Sequence, residues 1–143
     1  MFKGYYRRRF AELLGTPLTE ADGLGDDAVA NALRRRRLSV PRALFDYYAV
    51  AGRHRINREY NRLYSIRELG WRDEWLVFME ENQSVAYRGV DRAEAGKSNP
   101  VVSQAPNAEL LEWFPEIYRL SQFVMAMWHW QLHGNQEPAE AAA

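Results

Sequence analysis

Between Trp75 and Val90 the chain reads Trp-Leu-Val-Phe-Met-Glu-Glu-Asn-Gln-Ser-Val-Ala-Tyr-Arg-Gly-Val. Trp75 to Met79 is apolar at every position of a two-residue period, which suits a strand buried on both faces in the middle of a sheet. The polar corner Glu80, Glu81, Asn82, Gln83 follows, and Val85 to Val90 leaves it as a second strand. The stretch therefore predicts an antiparallel hairpin. Such a hairpin needs neighbouring strands and a covering layer, and the flanking chain must supply both.

Helices come first. Tyr6, Phe10, Leu13 and Leu14 recur at i, i+4, i+7 and i+8, one face of a helix that Gly15 and Pro17 end. Residues 16–27 form a polar connector. Asp26 and Asp27 offer N-caps for a second helix from Ala28 to Arg36, with carboxylates at its start and an Arg run at its end, as the helix dipole favours. A third helix begins near Pro41, buries Leu44, Tyr47, Tyr48 and Ala51, and has Gly52 as its natural C′ residue. Residues 53–61 read as a polar loop.

The period then shortens. Leu63 to Ile66 is a short strand, Arg67 to Gly70 a single helical turn, and residues 91–99 a loop after the hairpin. Val101 to Ser103 is a strand that the preceding Pro100 suits to an edge. Leu110 to Phe114 reads as a helical turn ended by Pro115. Ser121 caps a last helix running to about His133, with Phe123, Val124, Met127, Trp128 and Gln131 as its stripe and Gly134 as its stop. Residues 135–143 read as a disordered tail. Helices, then a strand meander, then a helix indicate an α+β fold rather than a parallel βαβ sheet.

Composition sets the outer limits. The 143 residues suit one domain, placed here at 1–134. With 47% hydrophobic and 13% aromatic residues, a core without staples is feasible. The 19 basic and 19 acidic residues cancel, which argues against a protein whose main task is holding nucleic acid and gives no pull toward anionic membranes. Only Lys3 and Lys97 are lysine; the other basic residues are all arginine. Cysteine is absent, which excludes disulfides, thiolate metal sites and a cysteine nucleophile. No apolar run approaches the ~20 residues that span a bilayer, and the N-terminus has no apolar signal region, so a cytoplasmic location is expected.

Two clusters stand out as candidate binding residues. Glu80, Glu81, Asn82 and Gln83 would either present a polar patch at the end of the sheet or tie the backbone of an irregular turn. Adjacent strand residues face opposite ways, so Glu80 and Glu81 should not converge on one bond as a catalytic pair. His54, Asn57 and Asn61 lie around one turn leading into the first strand, either completing that patch or capping local backbone. His129 and His133 have the i, i+4 spacing of a zinc helix, but the general-base glutamate and a third ligand are missing, and a solvated helix end is expected. The runs Arg7 to Arg9 and Arg34 to Arg37 are expected to be solvated or ion-paired. Gly23-Leu24-Gly25 leads into two aspartates that would repel a phosphate.

Three segments together resemble the SUKH superfamily, which includes the fungal cell-wall-synthesis regulator and many bacterial toxin-immunity proteins. They are Ser39 to Gly52, with a Pro-x-x-hydrophobic helix ending in Gly; Arg53-His54 through Asn61-Arg62-Leu63; and Phe78 to Gln83 followed by Val85, Tyr87 and Gly89. The resemblance implies an α+β fold with a mixed, mostly antiparallel sheet of about five or six strands flanked by N-terminal and C-terminal helices. It also implies a binding module rather than an enzyme, whose partner is a protein such as a cognate toxin; from the residues themselves neither cofactor nor metal is expected. The family's binding surface maps onto His54 to Asn61 and Glu80 to Gln83. The alternative expectation is a small metal-dependent hydrolase using Glu80 or Glu81 with His54.

Overall fold

The computed structural model describes residues 1–133. The stop expected at Gly134 and the tail over 135–143 lie outside the described residues.

Among the described residues there are four α-helices: α1 (Lys3–Leu14), α2 (Asp26–Arg36), α3 (Arg42–Ala51) and α4 (Leu120–His133). Six strands follow the third helix: β1 (Arg62–Leu63), β2 (Gly70–Arg72), β3 (Trp75–Glu80), β4 (Ala86–Asp91), β5 (Val101–Pro106) and β6 (Phe114–Arg119). Every pairing is antiparallel, in the order β1-β3-β4-β5-β6. β2 pairs with β3 through Gly70 and Val77, while β1 pairs with the far end of β3 through Arg62 and Glu80. The architecture is α+β, as the segregated element order requires.

β3 is central, and Leu76, Val77, Phe78 and Met79 are buried as the apolar run demands. Trp75, at the strand's start, is only partly buried. It stacks on Trp113, centroids 4.6 Å apart, and the Trp113 ring covers Gly89 of β4 so closely that a Cβ there would lie 3.0 Å from it. The opposite face meets the helices. Phe78, Val90 and Val102 join Tyr6, Phe10, Leu44, Tyr47, Phe123, Val124 and Trp128 in one hydrophobic core.

Several local expectations are corrected. The N-cap of α2 is Gly25, and Asp26 and Asp27 lie inside the first turn, where their charge meets the dipole without capping it. Gly52 is not left-handed (φ −62°); its small size matters because a Cβ would sit 2.6 Å from the Tyr48 carbonyl. Ser121 lies within α4, and its N–H donates to Asn99 Oδ1 at 3.0 Å, so Asn99 is the capping side chain. The strand expected over Leu63 to Ile66 is displaced to Arg62–Leu63. The helical turn after it is present, with the Leu69 N–H reaching Ser65 O at 3.1 Å. β2 was not expected. β5 is not an edge strand but lies between β4 and β6, and the helical turn expected over Leu110 to Phe114 gives way to β6. Pro115 is compatible with that strand because β6 forms the sheet's edge, where a missing N–H need break no ladder bond.

Candidate functional site

The corner between β3 and β4 is a 3-10 turn over Asn82–Ser84. Gln83 (φ 61°) and Ser84 (φ 55°) both occupy the left-handed region, an uncommon state for two successive non-glycine residues. Three hydrogen bonds hold them there. The Asn82 N–H donates to Asn61 Oδ1 at 2.9 Å, the Ser84 N–H donates to Glu81 O at 2.8 Å, and Asn107 Nδ2 donates to Ser84 O at 2.8 Å. Gln83 and Val85 are left exposed on the turn.

The two carboxylates separate as strand alternation requires. Glu80, register partner of Tyr87, takes Arg62 Nη2 at 2.9 Å and the Tyr64 hydroxyl at 3.0 Å. Glu81 takes Arg88 Nη2 at 2.6 Å, and Arg88 is also paired with Glu116 at 3.1 Å. The Arg88 guanidinium lies over the Phe123 ring of α4, so Glu81 belongs to the helix-facing side of the sheet and Glu80 to the other. Arg62 also pairs with Glu68. Burial works against the charge on Arg62, but Glu80 and Glu68 outweigh it and hold the guanidinium more firmly protonated. Burial, with Glu80 beside it, pushes the Tyr64 phenol far above the ordinary tyrosine range. Glu68 is held below the usual carboxylate range: burial raises it, and the Ser65 N–H and Arg62 more than compensate.

The loop residues sit deeper than their polarity suggests. Asn57 is 3% exposed. Its Oδ1 accepts from the Tyr47 hydroxyl at 2.6 Å, and its Nδ2 donates to Ala51 O at 2.8 Å. Tyr47 in turn accepts from Trp128 Nε1 at 2.7 Å, which completes a buried chain from α4 through α3 into the loop. Asn61 is also buried; its N–H donates to Gln131 Oε1 at 2.9 Å and its Nδ2 lies 2.9 Å from Met127 Sδ. His54 caps the 3-10 turn Arg55–Arg58, its Nδ1 accepting the Ile56 N–H at 3.0 Å. That contact makes the unprotonated Nδ1 the one facing the backbone.

Asn61 and the corner are thus brought together by a direct bond, whereas Asn57 and His54 are tied to α3 and to their own loop. Tyr60, next in sequence to Asn61, is 59% exposed, an aromatic residue not singled out from the sequence. His129 and His133 have ring centroids 4.6 Å apart. Among the described residues no group of three or more His, Asp or Glu is placed to hold a metal ion, and no helix is long and apolar enough to cross a membrane. No family model, curated protein or solved structure matches the chain.

Proposed function

We propose that this chain is a non-enzymatic protein-binding module whose recognition surface is the Gln83 corner. One observation carries the reading. The corner holds Gln83 and Ser84 in a strained backbone state, fixed by bonds from Asn61 and Asn107, while Gln83 and Val85 remain exposed. Strain retained on a rigidly supported, exposed turn is a mark of a functional surface, and pre-ordering a binding loop lowers the entropy lost on association. Tyr60 and Val85 supply apolar area, and Gln83 supplies an amide that both donates and accepts. A binding role also agrees with the state of the carboxylates. Glu80 and Glu81 are each neutralised by a separate arginine, and neither is presented with His54 as a catalytic set.

The SUKH resemblance makes a toxin the favoured partner and immunity in the cytoplasm the favoured role, with an intracellular regulatory module as the other form of the same activity. Co-expression with toxins encoded beside the gene tests this. Protection and co-purification are expected, and Val85→Asp should abolish both while leaving the fold intact. If the chain binds and protects against none of them, the immunity role fails; if Val85→Asp binds as well as the parent, the corner is not the surface.

A further inference from the structure

We infer that the C-terminal end of α2 and the turn it grips form a second docking surface, for a short acidic segment of a protein. α2 ends in Arg34, Arg35 and Arg36, with Arg37 immediately beyond, and all four are exposed. Arg36 reaches out of the helix and donates to Ile66 O at 2.7 Å and to Leu69 O. The helix end is thereby clamped to the turn that carries the exposed Arg67, so five arginines belong to the helix end and the turn it holds.

These charges are unmatched. Some arginines elsewhere meet carboxylates, as Arg42 meets Asp46, Arg55 meets Glu59, Arg88 meets Glu81 and Glu116, and Arg92 meets Glu74, while others such as Arg53, Arg58 and Arg72 stand singly without one among the described residues. Among the described residues, none of Arg34, Arg35, Arg36, Arg37 and Arg67 has a carboxylate partner; Arg34 meets only the Asn31 amide. The acid in the gripped turn, Glu68, is taken by Arg62 and the Ser65 N–H. The overall charge of zero therefore conceals a local run of arginines with no carboxylate partner among the described residues.

The helix dipole accounts for cations in the last turn, where its effect ends. It favours the charge of Arg37 at the C-cap too, but not that residue's backbone state. That residue is left-handed (φ 52°, ψ 44°); its N–H bonds the carbonyls of Arg34 and Leu33, and the Leu38 N–H returns to Leu33 O at 3.0 Å. This closure favours glycine, because an L side chain strains the left-handed backbone. Arginine stands here against the local preference of the fold, and what it adds is one more exposed cation at the helix end. Arginine's planar fork matches carboxylates with two parallel bonds. A nucleic acid carries charge along its whole length and would run off the patch onto a molecule with 19 acids. An acidic loop or helix end stops where the patch stops.

The intact chain would be titrated with a labelled short polyglutamate peptide and with an oligothymidylate of equal charge, at low salt. The peptide should bind. Arg34→Gln with Arg35→Gln should weaken it about fivefold or more, Arg37→Gly should weaken it less, and Arg119→Gln, on the far edge strand, should leave it unchanged. Arg37→Gly should also melt higher than the parent, since the strain is relieved. Equal binding by parent and patch variants, tighter binding of the oligothymidylate, or a lower melting point for Arg37→Gly would each overturn the inference. The probe reads this patch by itself, so the result stands whatever binds the Gln83 corner.

Discussion

Tyr47 has no exposed surface, and its hydroxyl serves two other buried groups. It accepts the Trp128 indole N–H and donates to Asn57 Oδ1, so one oxygen joins α3, α4 and the loop before β1. Replacing a shared partner leaves both neighbours unsatisfied, and each buried unpaired group costs about 1–3 kcal/mol. Tyr47→Phe should therefore destabilise the fold by about 2–4 kcal/mol in urea unfolding. Tyr6 is equally buried, but among the described residues its hydroxyl serves only the Ala43 carbonyl at 2.9 Å, so Tyr6→Phe should cost about 0.5–1.5 kcal/mol. If the two variants lose equal stability, the relay is not acting as a unit. This arrangement was hidden in the sequence. Residues 53–61 are polar and read as a surface loop, but the groups that bury Asn57 and Asn61 include Trp128, Met127 and Gln131, about half the chain away. Local polarity cannot reveal a partner brought in by the last helix.

At the scale of elements, the feature that joins hairpin to helix is the Glu81–Arg88–Glu116 group, which links the corner, β4 and β6 beneath Phe123. Arg88 is 6% exposed, so its desolvation offsets much of the attraction. Removing it alone strands two carboxylates: Arg88→Ala should lose about 3–5 kcal/mol. The triple variant Arg88→Met, Glu81→Gln, Glu116→Gln should recover most of that loss, because it removes the charges together with their desolvation. Chemical denaturation decides; a triple variant as unstable as Arg88→Ala would mean that the ion group itself holds the sheet to α4. Elements of this size were legible where their period was strong. α1, α3, α4 and the β3–β4 hairpin follow from apolar spacing and from stops such as Gly15, which is left-handed at φ 75°. β2 and β6 were not legible. β2 is three residues, Gly-Trp-Arg, too few to show alternation, and β6 contains Pro115, a residue that argues for an interruption until the strand is known to lie at an edge. The corner itself was legible as a polar turn on a central strand, and the separation of Glu80 from Glu81 followed from alternation. Which atoms it would present depended on positive φ values at residues with no glycine to announce them.

Across the whole molecule, the tyrosines make stability depend on alkaline pH. Burial first, and neighbouring groups second, raise the phenols of Tyr6, Tyr48 and Tyr64 well above their ordinary value; Tyr47 is raised by burial in spite of its bond from Trp128. A group whose folded pKa exceeds its unfolded value contributes stability that is complete below the unfolded value and is lost as pH rises above it. An unfolded tyrosine titrates near pH 10. Up to that point these four protons bind both states equally. Above it, the unfolded chain releases them while the folded chain keeps them. Each retained proton then removes about 1.4 kcal/mol of stability per pH unit, so four together remove roughly 5 kcal/mol per unit. A domain of ordinary stability, about 5–15 kcal/mol, should therefore unfold within roughly one to three units above pH 10. The transition should be cooperative, with tyrosinate absorbance from these four residues rising together with the loss of helical circular dichroism. Tyr64→Phe should make the decline shallower by one proton. Ionisation of all the tyrosines while the helical signal stays intact would show that the four phenols reach solvent in the folded state and that the core between α1, α3 and the sheet is not closed.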